Sequence, residues 1–223
     1  MHWHLLNHSV NSYRPGRGRV KCARSTAIHT LAAAAVLAAV ASASPDAVRA
    51  DAVGAEAILL SLHVLSQRDA PVEHYERRID AGGQAIVTPG IELYFDRSLT
   101  ETLWNARALR VTAALLEDSV RHRFGYLHLG AVWWLHESER WAIILLFGPG
   151  FIFRESWRDI PGYDPDNPLE ESDTFLPGYE YKFLPLGSLD LLYRLDPTWQ
   201  AVWSVFPGVP YVILLSLGFR ASL

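Results

Sequence analysis

Residues 211–223 read YVILLSLGFRASL. Counting back from Leu223 in steps of two gives Ala221, Phe219, Leu217 and Leu215, all apolar, with Ser222, Arg220, Gly218 and Ser216 between them. A period of two is that of a strand with one apolar and one polar face. A last strand of this kind is expected to close a sheet. A continuous apolar face opposite a face carrying Arg suits a barrel with lipid outside and a polar interior.

Composition sets the frame for that reading. The chain has 223 residues, half of them apolar, enough for one domain with a substantial buried surface. Its one Cys, Cys22, and its one Met, Met1, both lie near the start. Arg14, Arg17, Arg19, Lys21 and Arg24 form a basic stretch without an acid, followed by the apolar run Leu31–Val40 and then Ala41-Ser42-Ala43. This is the order of a secretory signal peptide, and the run is too short to span a bilayer as a helix. Residues 1–43 are therefore expected to be removed, with cleavage after Ala50 equally compatible with the small-residue rule; an alanine-rich anchor is the alternative. The mature protein would then have no thiol, which excludes a disulfide framework, a Cys zinc site and a Cys nucleophile. Loss of five basic residues takes the formal charge from −4 to −9, a poor balance for binding nucleic acid.

Residues 44–56 read as a flexible lead-in, and the barrel domain is expected over 57–223. The first strand falls at 58–66, with Leu60, Leu62 and Val64 opposite Ser61 and His63. Charged residues over 67–83 form a loop. The second strand, 84–96, places Val87, Ile91, Leu93 and Phe95 against Thr88, Glu92, Tyr94 and Asp96, and Pro89 within it predicts a bulge or bend. A polar turn through Arg97–Asn105 leads to a third segment at 107–118, where Leu103–Leu116 would also suit a helix. Strands follow at 124–135 and 140–155, the latter with Gly148, Gly150 and Arg154 inward.

After a Pro- and acid-rich loop at 157–177, the segment 178–195 is either two strands split at Pro185–Gly187 or one. Parity decides for one bent strand: Tyr179, Tyr181, Phe183, Leu189, Leu191, Tyr193 and Leu195 are odd-numbered, whereas Glu180, Lys182, Asp190 and Arg194 are even-numbered. Strands at 199–206 and at the C-terminus complete eight. The fold class is thus an all-β, eight-stranded antiparallel transmembrane barrel, with long loops at one end and tight turns at the other. Outward aromatics form two belts: Phe95, Trp133, Trp141, Tyr193, Trp199 and Phe219 at the turn end, and Phe153, Tyr179, Tyr181 and Tyr211 at the loop end. A soluble sandwich or lipocalin-like barrel would carry its charges on the other face.

On this architecture, residues 57–223 resemble the small outer-membrane β-barrels of Gram-negative bacteria, a class with structural members and two lipid A enzymes, a deacylase and a palmitoyltransferase. The blocks FIFRESW (151–157) and FLPGYEYKF (175–183) have the look of family signatures. The class usually ends in Phe, and this chain ends in Leu223. The resemblance implies residence in the outer membrane, contact with outer-membrane lipids and lipopolysaccharide, insertion by the barrel assembly machinery, a monomeric state, and no cofactor or nucleic-acid partner.

Inward charges predict a polar network in the lumen: Glu92, Arg110, Arg154, Glu180, Lys182, Asp190, Arg194 and Arg220. Hairpin symmetry pairs Glu92 with Arg110 or its neighbour, and Arg154 with Glu180. His128, inward beside Tyr126, is the first candidate for a general base and His63 the second, with Ser61, Ser156 or Ser204 as conceivable nucleophiles. Ser61-Leu62-His63 reverses the order of the deacylase barrel's closely spaced His and Ser, and no motif selects a serine. The acidic loop residues Asp159, Asp164, Asp166, Glu170, Glu171 and Asp173 are hard oxygen donors without the spacing of an EF-hand, so no metal is assigned. A structural, adhesive or small-ligand-binding role through the loops is the leading expectation, and a lipid-modifying enzyme the alternative.

Overall fold

The structure is a computed structural model, described here for residues 51–63, 77–79, 84–157, 160, 170–172, 178–208 and 212–223. The signal segment, most of the acidic loop, Tyr211 and the side chain of His63 lie outside the described residues. Among the described residues there are nine strands: β1 Ala52–His63, β2 Ala85–Leu103, β3 Ala106–Glu117, β4 Arg123–Glu137, β5 Trp141–Glu155, β6 Glu170–Ser172, β7 Tyr179–Arg194, β8 Trp199–Gly208 and β9 Val212–Ser222. Among the described residues there is no helix.

Eight of these strands form a closed antiparallel ring. Each pairs with its neighbour in the order β1-β2-β3-β4-β5-β7-β8-β9, β9 returns to β1, and β5–β7 pairing completes the wall. The three-residue β6 lies along the loop end of β7, opposite Tyr179–Tyr181. Closure is what the backbone needs in lipid, because an open edge would leave N–H and C=O groups with no water to bond.

Alternation sorts the side chains with one parity. Along β2–β5 and β7–β9, outside the register shifts at Ser98–Leu103 and Trp134–His136, even-numbered residues face the lumen and odd-numbered residues face out, so Ile91, Leu129, Phe147, Leu191, Trp203 and Leu217 are all exposed large apolar side chains. On β1 the even positions Ala52, Glu56 and Ile58 are buried, and so is Ser61, because the register shifts between Ile58 and Leu60. The shift lies opposite Val87–Gly90, the stretch that contains Pro89.

Several boundaries differ from the sequence reading. β1 begins at Ala52, so residues 52–56 are wall and not lead-in; small residues there (Ala52, Gly54, Ala55) hide the alternation. The segment 106–117 is strand throughout, its helix-like apolar content arising from burial of Ala108, Ala113, Ala114 and Leu116. The expected polar turn over 97–105 is mostly β2, and the chain reverses only at Trp104–Asn105, both with positive φ (48° and 66°), as a two-residue type I′ hairpin requires. Residues 179–194 are one strand across Pro185 and Gly187.

Inside, two apolar clusters close the barrel. Ala108, Val132, Ile144, Leu146, Leu192 and Val202 fill the turn end. Ile58, Leu116, Tyr126, Ile152, Phe206 and Leu214 fill the loop end, with Tyr126 stacked on Phe206 at 4.5 Å. A narrow eight-stranded barrel has space only for side chains, so these clusters leave no open bore. At the turn end, outward aromatics touch one another, with Trp141 4.5 Å from Tyr193 and 6.1 Å from Trp203. At the loop end Phe151 packs on Tyr181 and Phe183, and Phe153 on Tyr179. Phe95 and Phe153 occupy outward register but are buried.

If the outward face meets hydrocarbon, Leu217→Arg should lower unfolding stability in lipid vesicles by about 2–4 kcal/mol, the cost of an Arg near the bilayer midplane. Denaturant titration followed by Trp fluorescence measures it, and an unchanged midpoint would contradict a lipid-facing β9.

Candidate functional site

Between the two apolar clusters lies a polar layer built from β1, β2, β3, β7, β8 and β9. Its centre is Asp96. One carboxylate oxygen of Asp96 accepts from Arg110 Nε at 2.6 Å; the other accepts from Arg110 Nη2 at 3.1 Å and Arg220 Nε at 3.0 Å. Arg110 also donates Nη1 to Asp190 at 2.6 Å and lies 3.9 Å over the ring of Tyr94. Asp190 accepts a further bond from Ser188, and Arg220 donates to Gln200 at 2.7 Å. All four charged members are almost wholly buried.

Strand register explains these partners. Asp96 stands directly opposite Arg110 on β3, and Glu92 stands opposite Ala114. The expected Glu92–Arg110 pair is therefore not formed: centring the hairpin on the expected turn 97–105 pairs 92 with 110, whereas β2 runs on to Leu103, the chain reverses at Trp104–Asn105, and the register shift between Ser98 and Leu103 leaves Asp96 across from Arg110. Glu92 instead accepts the Tyr126 hydroxyl, and its register partner on β1 is Glu56, which accepts from Ser216 Oγ at 2.5 Å. In this layer Asp96 and Asp190 thus have guanidinium partners, and Glu56 and Glu92 have hydroxyl partners.

A second polar cluster sits at the loop end. Arg154 and Glu180 are direct cross-strand partners joined at 2.8 Å, and Arg154 also lies 4.3 Å over the Trp157 ring. Glu180 further accepts from Ser156 Oγ at 3.0 Å. Trp157 donates its indole N–H to Asp118 at 2.6 Å, tying the β5–β7 connection to the β3–β4 turn. Asp118 also accepts from the backbone N–H groups of Val120 and His122. Burial pushes the Asp118 carboxyl up from 3.8 to about 6, against the pull of these hydrogen bonds.

The other candidates fall as follows. Lys182 is half-buried at the loop end of β7. Arg194 is exposed at the turn end, donating to the Glu139 carbonyl at 3.1 Å, so it belongs to the rim and not to the lumen network. His128 is buried in the lumen, where neither ring nitrogen has a hydrogen-bond partner. No Ser–His pair forms there: Ser204 Oγ has no partner and Ser156 bonds Glu180. Among the described residues no group of three or more His, Cys, Asp or Glu side chains is arranged to hold a metal ion. Asp96 was on the correct face in the sequence pattern but unassigned a partner, and Glu56 was hidden in the small-residue lead-in.

A closed eight-stranded antiparallel barrel with charges inside and apolar side chains outside is the architecture of the small outer-membrane β-barrels. The chain is similar to Neisserial surface protein A at 9% identity and a TM-score of 0.47, covering 78% of this chain and 97% of that one. It is similar also to Ail, the attachment invasion locus protein of Yersinia pestis, at 13% identity and a TM-score of 0.40 over 78% and 97% of the two chains. A de novo designed transmembrane β-barrel aligns at 11% identity and a TM-score of 0.41, over 78% of this chain and 95% of that one. No protein-family model matches the chain, and no curated sequence matches it.

Asp96→Ala should cost about 3–5 kcal/mol, because it leaves Arg110 and Arg220 buried without their shared carboxylate. The double variant Asp96→Ala/Arg110→Met should recover part of that loss, whereas Glu92→Gln, which keeps an acceptor for Tyr126, should cost no more than about 1.5 kcal/mol. Equal losses for Asp96→Ala and Glu92→Gln in denaturant titration would remove Asp96 from the centre.

The loop-end latch makes a pH prediction. The folded Asp118 carboxyl titrates near 6, above its ordinary 3.8, so its contribution is fully present below about pH 4 and is lost as pH rises through 6. Hydrogen exchange at residues 118–122 and 156–157 should therefore be slower, after correction for intrinsic rates, at pH 4.5 than at pH 7.5. Asp118→Asn should flatten that dependence.

Proposed function

We propose that this chain is an outer-membrane protein of a Gram-negative envelope, exported by the signal segment 1–43, whose barrel is an anchor for its loops in a structural, adhesive or small-ligand-binding role. The observation that carries the reading is the inverted polarity of the wall: Asp96, Arg110, Asp190 and Arg220 are buried inside, while Leu129, Phe147, Leu191 and Leu217 are exposed outside. Water would favour the opposite arrangement, and a hydrocarbon surround favours this one. Two apolar clusters and a salt-bridged layer fill the lumen, which supports an anchor over a channel. Work is then left to the loop end, where the Arg154–Glu180–Trp157–Asp118 cluster fixes the root of the longest connection.

Expression in a Gram-negative host followed by membrane fractionation tests the location. The mature barrel should appear in the outer-membrane fraction with heat-modifiable gel mobility, and it should give no conductance steps in planar bilayers. Recovery as a soluble periplasmic protein would reject the anchor reading, and steady conductance would reject the filled lumen.

A further inference from the structure

The polar layer of the lumen holds more acid than base. Glu56, Glu92, Asp96 and Asp190 face Arg110 and Arg220, and all six are buried. Both guanidiniums are directed at the aspartates: Arg110 gives Nε and Nη2 to Asp96 and Nη1 to Asp190, and Arg220 bonds Asp96 and Gln200. Glu56 and Glu92 stand directly across from each other in the regular part of the β1–β2 register. Directly opposed side chains on one face of a sheet have Cβ atoms about 5 Å apart. Each of the two has a hydroxyl for a partner, Ser216 on Glu56 Oε2 and Tyr126 on Glu92 Oε2. The other oxygen of Glu56, Oε1, is buried with no hydrogen-bond partner.

Two carboxylates facing each other in an interior closed to water do not both keep a full charge unless a cation joins them. We propose that Glu56 and Glu92 bind one proton between them, taken from solvent as the barrel forms, with the carboxylic O–H of Glu92 donated to Oε1 of Glu56. The proton supplies the donor that Oε1 lacks, and the Ser216 and Tyr126 hydroxyls keep their bonds to the other two oxygens. One negative charge remains on the pair. The ionisable groups around it are Tyr94 and Asp96 on β2, Arg110 on β3, Tyr126 and His128 on β4, Asp190 on β7 and Arg220 on β9. Arg110 and Asp190 are joined at 2.6 Å, so their effects on the pair oppose each other. Arg154 on β5, tied to Glu180, and Lys182 on β7 stand at the loop end, and β8 contributes the Ser204 hydroxyl and the Gln200 amide. This site goes beyond the anchor reading, because it depends on the geometry of the lumen and not on the loops.

Infrared spectroscopy of the purified barrel in detergent tests the shared proton, in an Asp118→Asn background that removes the loop-end carboxyl. At neutral pH the spectrum should contain the carbonyl stretch of about one protonated carboxylic acid per chain, and Glu56→Gln/Glu92→Gln should abolish it. In Glu56→Gln the proton should leave about tenfold more readily, so that the band disappears at least about one pH unit lower, because the facing charge is gone. Heat-modifiable mobility checks that each variant is folded. Folding then takes up a proton that an unfolded glutamate gives up above about pH 4.3, so the unfolding equilibrium constant should rise by up to about tenfold per pH unit toward neutral pH, and the double variant should flatten that rise. Absence of the band at neutral pH would overturn the proposal in favour of two ionised carboxylates joined by a cation. A band that survives in the double variant would place the proton elsewhere, and an unchanged release in Glu56→Gln would reduce the effect to burial of Glu92 alone.

Discussion

Asp96 lies between two guanidiniums, and the middle of the barrel depends on it. Arg110 on β3 and Arg220 on β9 approach from opposite sides, so a single carboxylate on β2 joins strands that are not neighbours in the wall. Removing charges from water is costly, and a buried ion pair is not in itself a strong source of stability. Its force lies in the penalty for losing one member. Once Arg110 and Arg220 are inside, only a structure that supplies Asp96 and Asp190 at the right height is tolerable.

That requirement reaches the wall through register. A slip by one residue between β2 and β3 would turn Asp96 to the outer face and bring Phe95 or Arg97 opposite Arg110. The apolar outer face and the charged inner face therefore specify the same pairing twice. Close packing adds a third restraint: a Cβ on Gly54 would lie 2.0 Å from the Tyr94 ring, and that ring is the one beneath Arg110. The clusters above and below the polar layer then exclude solvent from it.

The loop end is held together by a different logic. There the Arg154–Glu180 pair, the Trp157 indole and Asp118 bind the first residues of the long connection to the barrel rim. His128, the strongest chemical candidate in the sequence, lies buried in the lumen with no hydrogen-bond partner on either ring nitrogen.

Much of the architecture was legible in residue order, because a period of two needs only local information. Parity put Arg110, Asp190 and Arg220 inside and carried β7 across Pro185 and Gly187 without a break. Symmetric hairpins also led to the Arg154–Glu180 pair, since the β5–β7 register is regular. The same method failed for Arg110, because β2 runs on to Leu103 and the chain turns at Trp104–Asn105 instead of about the middle of 97–105, so the partner is Asp96 and not Glu92. It missed Glu56 because Ala and Gly neighbours show no alternation. What the sequence by itself determined was which face each side chain takes, a consequence of backbone geometry within one strand. Which charges meet across the lumen was decided only by tertiary structure, because it depends on register shifts and ring closure that no single strand records.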